Sequence, residues 1–115
     1  MLRLDKSIRH CEIIDRSGGI VVTNTRKNLQ ALVTGDAQYK QALQAAIRQF
    51  TTPSWAIAFG EKFYTVDRYE KQIVVSIIIS NDYLMLVSFD HDANDFDDII
   101  MKKIRPKILM LVNKE

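Results

Sequence analysis

His10 and Cys11 are the first neighbouring residues of this chain whose side chains could do chemistry. An imidazole can activate a thiol as a nucleophile when the two side chains approach each other in space. The pair lies at the start of the run CEIID, residues 11–15, which we predict to be a strand, where consecutive side chains point to opposite faces. His91 is far along the chain, and two histidines with one cysteine do not make a usual zinc site without carboxylates. We therefore assign no catalytic residue and no metal ligand, and we expect the chain not to be an enzyme.

The acidic segment DHDANDFDD, residues 90–98, resembles the beginning of a calcium-binding loop. Its first, third and fifth positions hold oxygen-bearing side chains, as the start of an EF-hand loop does. An EF-hand also needs glycine at the sixth position and a bidentate glutamate at the twelfth, where this chain has Asp95 and Met101. We expect these acidic side chains instead to lie at the N-terminus of a helix that follows, where the helix dipole favours negative charge. The sequence predicts no bound cation and no cofactor.

The pair Gly18-Gly19 raises the question of a phosphate-binding loop. A P-loop needs the pattern GxxxxGK[ST], and a dinucleotide loop needs GxGxxG at the opening of a helix. Here the glycines are followed by IVVTN, residues 20–24, whose β-branched side chains favour a strand. No helix N-terminus then follows to receive an anion. We predict a tight turn that joins two antiparallel strands, residues 11–15 and 20–24.

The helical pattern is clearest over residues 36–50. Asp36, after Gly35, is a plausible N-cap, and apolar residues recur at the spacing of one helix face. These apolar residues are Tyr39, Leu43, Ala46, Ile47 and Phe50. The sequence also allows a short second helix over residues 53–59, begun by Pro53 and ended at Gly60.

Helices are expected at both ends of the chain as well. Residues 2–9 have the spacing of a short amphipathic helix, and NDFDDIIMKKIRPKILMLV, residues 94–112, has that of a longer one capped by Asn94. Pro106 should kink or interrupt the longer helix near Arg105. Whether residues 107–112 continue as helix is open. Their apolar side chains must be buried against another surface, and a partner chain is one candidate for it.

Three further strands lie between the helical segments. KFYTVDRY, residues 62–69, alternates roughly in polarity, and LMLVSF, residues 84–89, follows a turn at SNDY. IVVSIII, residues 73–79, is almost continuously apolar, so both faces of this strand should be covered. The predicted order is α-β-β-α-β-β-β-α. We expect a single α+β domain over residues 1–115, with a five-stranded antiparallel sheet and helices packed on it.

The bulk composition excludes several classes of protein. The chain has 115 residues, 47% of them hydrophobic, which fits one folded domain. Its net charge of +2 is too small to indicate nucleic-acid binding. No apolar run approaches the roughly 20 residues of a membrane span, and the opening MLRLDKSIRH does not look like a signal peptide. One cysteine fits a reducing compartment, so we expect a cytoplasmic protein.

A group of aromatic residues around Trp55 leaves a second function open. Trp55 lies near Phe59, Phe63 and Tyr64 in the sequence, and such residues either fill a core or line a pocket between helix and sheet. A pocket there would suit a PAS-like sensor of a small molecule. A loose basic set also surrounds the first hairpin, which an acidic partner could use: Arg3, Lys6, Arg9, Arg16, Arg26 and Lys27.

The chain resembles the roadblock, longin and profilin-like group of small α+β domains. EIIDRSGGIVVTN, residues 12–24, is similar to the first hairpin of roadblock domains, and KFYTVDRYEKQIVVSIIISNDYLMLVSFD, residues 62–90, is similar to their three-stranded meander. The chain also looks similar to small uncharacterised archaeal proteins that share an opening like LRLDKSIR and a YEK near the third strand.

This resemblance implies a function as well as a fold. Roadblock domains form homodimers or heterodimers that act as scaffolds or regulators of small GTPases, and they dimerise through the crossover helix and a sheet edge. Carried onto this sequence, the resemblance implies a non-enzymatic, homodimeric interaction module. The implied interface residues are Tyr39, Leu43 and Ile47 on the helix, and Phe63, Thr65 and Tyr69 in or beside the third strand.

Overall fold

Five strands in one antiparallel sheet, with helices on both faces, make up the described chain. The computed structural model describes residues 6–25, 35–51, 56–60 and 62–112. The strands are β1 (Ile8–Asp15), β2 (Ile20–Thr25), β3 (Tyr64–Arg68), β4 (Gln72–Ile78) and β5 (Tyr83–Asp90). The helices are α1 (Gly35–Thr51), α2 (Ala56–Phe59), α3 (Phe96–Ile99), a π-helical turn (Ile100–Ile104) and α4 (Arg105–Val112). The strand order is β2-β1-β5-β4-β3, and the expected five-stranded α+β architecture is confirmed.

The N-terminal segment differs from the helix expected over residues 2–9. Residues 6 and 7 form a turn, and β1 begins at Ile8; residues 1–5 lie outside the described part. Ile8 is fully buried and lies opposite Phe89 in the ladder between β1 and β5. The expected helix is therefore wrong at its described end, because pairing with β5 satisfies this backbone and buries the isoleucine.

Both faces of β4 are covered, as its almost continuous apolar run predicts. Ile73, Val75 and Ile77 face the C-terminal helical segment, while Val74 lies under α1. The buried residues of the C-terminal segment are Ile99, Ile100, Ile104 and Ile108. The sheet thus separates two apolar cores, one for each set of helices.

Helix α1 packs on the sheet through small residues. Ala42, Ala45 and Ala46 are buried, and they contact a set of larger apolar residues on the strands: Ile14, Val74, Leu84 and Leu86. Alanine combines the highest helix propensity with the smallest Cβ-bearing side chain, so the backbone of α1 can lie close to the sheet. The larger side chains of α1 are consequently left to its flanks and outer surface.

The C-terminal helical segment continues through Pro106. A π-helical turn over Ile100–Ile104 comes directly before α4, and the Arg105 amide donates to the Ile100 carbonyl. The expected interruption near Arg105 is therefore a change of helical type, since a wider turn relieves the clash between a proline ring and the preceding carbonyls. The helix begins at Phe96, with Asp95 in the N-cap position and no hydrogen bond from a capping side chain, so the N-cap expected at Asn94 is not formed. No helix among the described residues is long and apolar enough to cross a membrane.

Candidate functional site

The glycine pair after β1 belongs to a tight turn. One carboxylate oxygen of Asp15 accepts hydrogen bonds from the Ser17 hydroxyl at 2.6 Å and from the Ser17 and Gly19 amides at 2.9 Å. Gly18 has a φ of 92°, which glycine adopts readily. The hydrogen bonds from Ser17 and Gly19 lower the pKa of Asp15. The amides that could have held a phosphate already bind this side chain, so the turn predicted from the sequence is confirmed.

His10 and Cys11 point to opposite faces of the sheet, as predicted. Cys11 is buried on the face of the C-terminal segment, and burial raises the pKa of its thiol to about 11. The His10 ring lies on the other face, with its Nδ1 atom 2.7 Å from the Thr25 hydroxyl. A protonated, buried thiol is a poor nucleophile, so this pair does not form a catalytic site.

A buried polar cluster joins β1, β2 and α1, and sequence reasoning did not find it. Glu12 is 2% exposed, and its Oε2 atom accepts a hydrogen bond from the Gln38 side chain at 3.1 Å. The His10 Nε2 atom lies 3.8 Å from the same oxygen, and Gln38 also donates to Thr23 at 3.4 Å. From the sequence, Glu12 was only one residue of the strand predicted over residues 11–15. Because Glu12 is shielded from solvent, its hydrogen bond with Gln38 connects α1 firmly to the β1–β2 hairpin.

Several acidic side chains of residues 90–98 make ion pairs or hydrogen bonds within the chain. Asp90 pairs with Arg9 at 3.0 Å, Asp98 with Lys102 at 3.5 Å, and Asp97 accepts a hydrogen bond from the Tyr64 hydroxyl. Among residues whose positions the structure gives, no three histidine, cysteine or acidic side chains are grouped so that they could hold a metal ion.

Three of the predicted interface residues form an exposed line on α1. Tyr39 is 63% exposed, Leu43 46% and Ile47 53%, and successive members are four residues apart. We call these three residues the α1 stripe. The stripe runs along the flank of α1 that faces the β1–β2 turn, because the Leu43 side chain lies against Gly18.

The other three predicted interface residues lie in or beside β3, at the edge of the sheet. Thr65 is in the strand, Phe63 precedes it and is 41% exposed, and Tyr69 follows it and is 58% exposed. The guanidinium of Arg105 stacks on the Phe63 ring, 4.1 Å from its centroid. We call residues 63–69 the β3 edge.

The α1 stripe and the β3 edge lie on opposite flanks of α1. Arg48 binds Asp67 of β3 through two hydrogen bonds, of 3.2 and 2.5 Å. Gln41 and Gln44 also face β3, where they and Tyr69 line a cleft of about 300 Å³. Positions 41, 44 and 48 lie on a different side of a helix from the stripe. The structure therefore divides the predicted interface into two separate surfaces.

The pocket left open as an alternative around Trp55 is not supported by its described members. Trp55 lies outside the described residues, and Phe59 is 82% exposed. Phe63 packs against Arg105, and the Tyr64 hydroxyl reaches Asp97. Burial and the bond to Asp97 raise the pKa of Tyr64 to about 12. These side chains have separate environments and do not line one cavity.

The basic residues around the first hairpin are likewise divided. Arg9 pairs with Asp90, while Arg16 donates to the Asn81 carbonyl at 2.7 Å and its guanidinium lies 5.2 Å from the centre of the Phe50 ring. Lys6 is exposed, and Arg3, Arg26 and Lys27 lie outside the described residues. The described arginines of this set are therefore engaged within the chain.

Known structures share this arrangement of sheet and helices. The chain is similar to Myxococcus xanthus MglB, with 15% identity and a TM-score of 0.68 over 98% of this chain and 91% of that one. It is similar to an MglB structure with a tetrameric arrangement, with 17% identity and a TM-score of 0.64 over 93% and 80%. It is also similar to a roadblock/LC7 domain from Streptomyces avermitilis, with 13% identity and a TM-score of 0.61 over 95% and 94%.

These likenesses establish a roadblock-type fold. No protein-family model matches the sequence, and no curated protein matches it either. The similarity to archaeal proteins stays a prediction.

Proposed function

We propose that this protein is a non-enzymatic interaction module that forms a homodimer through the β3 edge and presents the α1 stripe to a regulated partner protein. The observation that carries the proposal is the separation of two exposed surfaces on one roadblock-type fold. The resemblance to roadblock domains favours a small GTPase-type switch as the partner. The single cysteine favours a cytoplasmic location.

The two edges of the sheet differ in their ability to pair with another strand. In the ladder between β1 and β2, Ile14 lies opposite Ile20 but Ile13 lies opposite Val22, so Val21 of β2 is an extra, bulged residue. Bulges bend a strand and are a common protection of exposed edges. The register of β3 with β4 has no shift from Tyr64 to Arg68. The regular β3 edge is therefore better suited to accept a strand from a second copy.

The α1 stripe suits an apolar partner surface. Its three side chains are large, and each is about half exposed, with Tyr39 the most exposed at 63%. Exposed apolar groups that are contiguous mark interaction sites more often than scattered ones do. An aromatic residue at one end is typical of the residues that carry binding energy. We assign this surface to the partner because the β3 edge lies on the other flank of α1.

The sensor alternative is not favoured. The structural likenesses are to roadblock-type proteins, and two described clefts beside α1, of about 560 and 300 Å³, are lined mostly by residues with polar or charged side chains, such as Gln41 and Gln44. Small-molecule pockets are usually lined by apolar side chains.

Light scattering after size exclusion, over a range of concentrations, tests the self-association. We expect a mass of about twice 13.3 kDa. Tyr69→Asp should shift the equilibrium towards the monomer, because it places a charge on the β3 edge. Val21→Asp is the matched control on the bulged edge, since Val21 is 54% exposed and Tyr69 is 58% exposed. A strictly monomeric wild type, or equal effects of the two variants, would contradict the proposal.

Binding to purified small GTPases of the source organism, each loaded with GDP or a non-hydrolysable GTP analogue, tests the partner. We expect one of them to bind in a nucleotide-dependent way. Leu43→Glu should abolish this binding and leave the dimer intact, while Gln44→Glu on the neighbouring surface should bind as wild type does. Nucleotide-dependent binding that survives Leu43→Glu would remove the α1 stripe from the interface.

A further inference from the structure

We propose that the outer face of the C-terminal helical segment, residues 96–112, docks on an anionic lipid surface and leaves the α1 stripe on the other side of the protein. The occupant to which charge and shape point is a bilayer with negatively charged headgroups. This surface is separate from the two that the proposed self-association and partner binding use.

The outer face of the segment is defined by helical spacing. Four exposed residues recur there at positions i, i+3, i+4 and i+7, so they share one side of a helix. The buried residues Ile104 and Ile108 belong to the side that packs on the sheet. We call the four exposed residues the basic face: Lys103, Pro106, Lys107 and Met110.

The charge of this part of the chain suits an anionic surface. Residues 102–107 contain four lysines and arginines, and residues 99–114 contain no aspartate or glutamate. Lys102 pairs with Asp98 at 3.5 Å, whereas Lys107 makes no ion pair with any residue that the structure describes. Basic clusters of this kind on a helix are typical of segments that bind anionic lipid headgroups.

The acidic residues before the segment lie too far from α4 to cancel this charge. At a rise of about 1.5 Å per residue, Asp98 and Met110 are about 18 Å apart along the helix. Exposed charges are largely screened beyond about 8 Å at physiological ionic strength. Asp98 is also paired with Lys102, and Asp97 accepts a hydrogen bond from the Tyr64 hydroxyl. The end of α4 therefore presents a positive surface.

Exposed apolar side chains accompany the basic ones at this end. Met110 is 55% exposed and Leu109 is 47% exposed. Such side chains can enter the boundary between headgroups and acyl chains, while the apolar stems of lysines let their ammonium groups reach the headgroups. The two described clefts lie beside α1, not on this helix. A convex helix of this kind fits a flat lipid surface better than a protruding protein segment.

Docking on this side keeps the α1 stripe accessible. The C-terminal segment covers the face of β4 that carries Ile73, Val75 and Ile77, and α1 covers the face that carries Val74. A bilayer against the basic face therefore lies on the far side of the sheet from α1. The protein would then hold a bound partner near the membrane.

Sedimentation with lipid vesicles tests the proposal. The full chain should sediment with vesicles of equal parts phosphatidylglycerol and phosphatidylcholine, but not with vesicles of phosphatidylcholine alone. High salt should release it, because salt screens exposed charges. Lys107→Glu should lower the partition coefficient at least about fivefold, since each basic residue near an anionic surface contributes about that factor. Met110→Glu should weaken binding as well, because it puts a charge where an apolar side chain meets the bilayer.

Two matched variants on α1 are the controls. Lys40→Glu makes the same change of charge at an exposed position, and Leu43→Glu replaces an apolar side chain that is 46% exposed. Both should bind the vesicles as the wild type does. Equal weakening by Lys107→Glu and Lys40→Glu would overturn the assignment to the basic face.

The remaining outcomes also decide the proposal. Absence of binding to the anionic vesicles, or equal binding to phosphatidylcholine alone, would overturn it. Binding to polyglutamate without binding to vesicles would make the basic face a surface for an acidic protein and would likewise overturn it. Light scattering on the same samples separates this proposal from the self-association: a monomer that binds the anionic vesicles would support the membrane contact and contradict the dimer.

Discussion

Gly18→Ala should destabilise the protein far more than a glycine substitution at an equally unusual backbone angle elsewhere. Gly18 has a φ of 92°, and a Cβ atom placed on it would lie 2.8 Å from Leu43 Cδ1 and 2.9 Å from Leu43 Cα. The left-handed backbone costs an L-residue roughly 1–2 kcal/mol. Overpacking against a helix backbone adds about 1–3 kcal/mol. We expect a loss of about 2–5 kcal/mol in the free energy of unfolding.

Gly60→Ala is the matched control for this prediction. Gly60 has a φ of 83°, and no atom of the residues that the structure describes lies within 4 Å of the position of its Cβ. Only the backbone cost of about 1–2 kcal/mol should apply there. Chemical denaturation followed by circular dichroism measures both variants, and the m-value should stay constant if both unfold in two states. Equal losses of unfolding free energy in the two variants would contradict the close contact between Leu43 and the turn at Gly18.

Three other perturbations test the cores and the buried titratable groups. Ile77→Asp should unfold the domain, because Ile77 is 4% exposed and an unpaired buried charge costs more than a marginal stability of about 5–15 kcal/mol allows; a cooperative thermal transition in this variant would contradict the placement of β4. The thiol of Cys11 should react slowly with thiol reagents in the native protein and at once in denaturant. Because the folded pKa of Cys11 is raised from 9.0 to about 11, its contribution to stability is full below pH 9.0 and is lost as the pH rises towards about 11. An ultraviolet titration should show a tyrosine ionisation with a pKa of about 12, and Tyr64→Phe should remove that step.

The fold was largely predictable from local patterns. The hairpin glycines, the helical spacing over residues 36–50 and the apolar run of β4 each predicted the element that the structure contains. The helix expected over residues 2–9 was wrong at its described end, because the ladder between β1 and β5 joins residues far apart in the chain. Two apolar residues four positions apart do not report such pairing.

The candidate site was predictable in its residues but not in its arrangement. The sequence identified Tyr39, Leu43 and Ile47 as one helical line, and the structure leaves all three exposed. It did not separate them from the β3 edge, because the flank of a helix that meets a given strand depends on how the helix crosses the sheet. The cluster around Glu12 was missed for a similar reason, since its partner Gln38 belongs to a different element.

Preferences between residues near in the chain therefore determine the helices and strands of this protein, and tertiary packing determines which of their surfaces are exposed. Backbone preference and apolar spacing act between residues that are near in the chain, so the turn at Gly18 and the length of α1 can be predicted directly from the sequence. The order of strands decides which edge is free, and the bulge at Val21 decides which free edge is regular. Those properties depend on contacts between distant segments, and only the folded chain shows that β3 lies at a regular edge of the sheet.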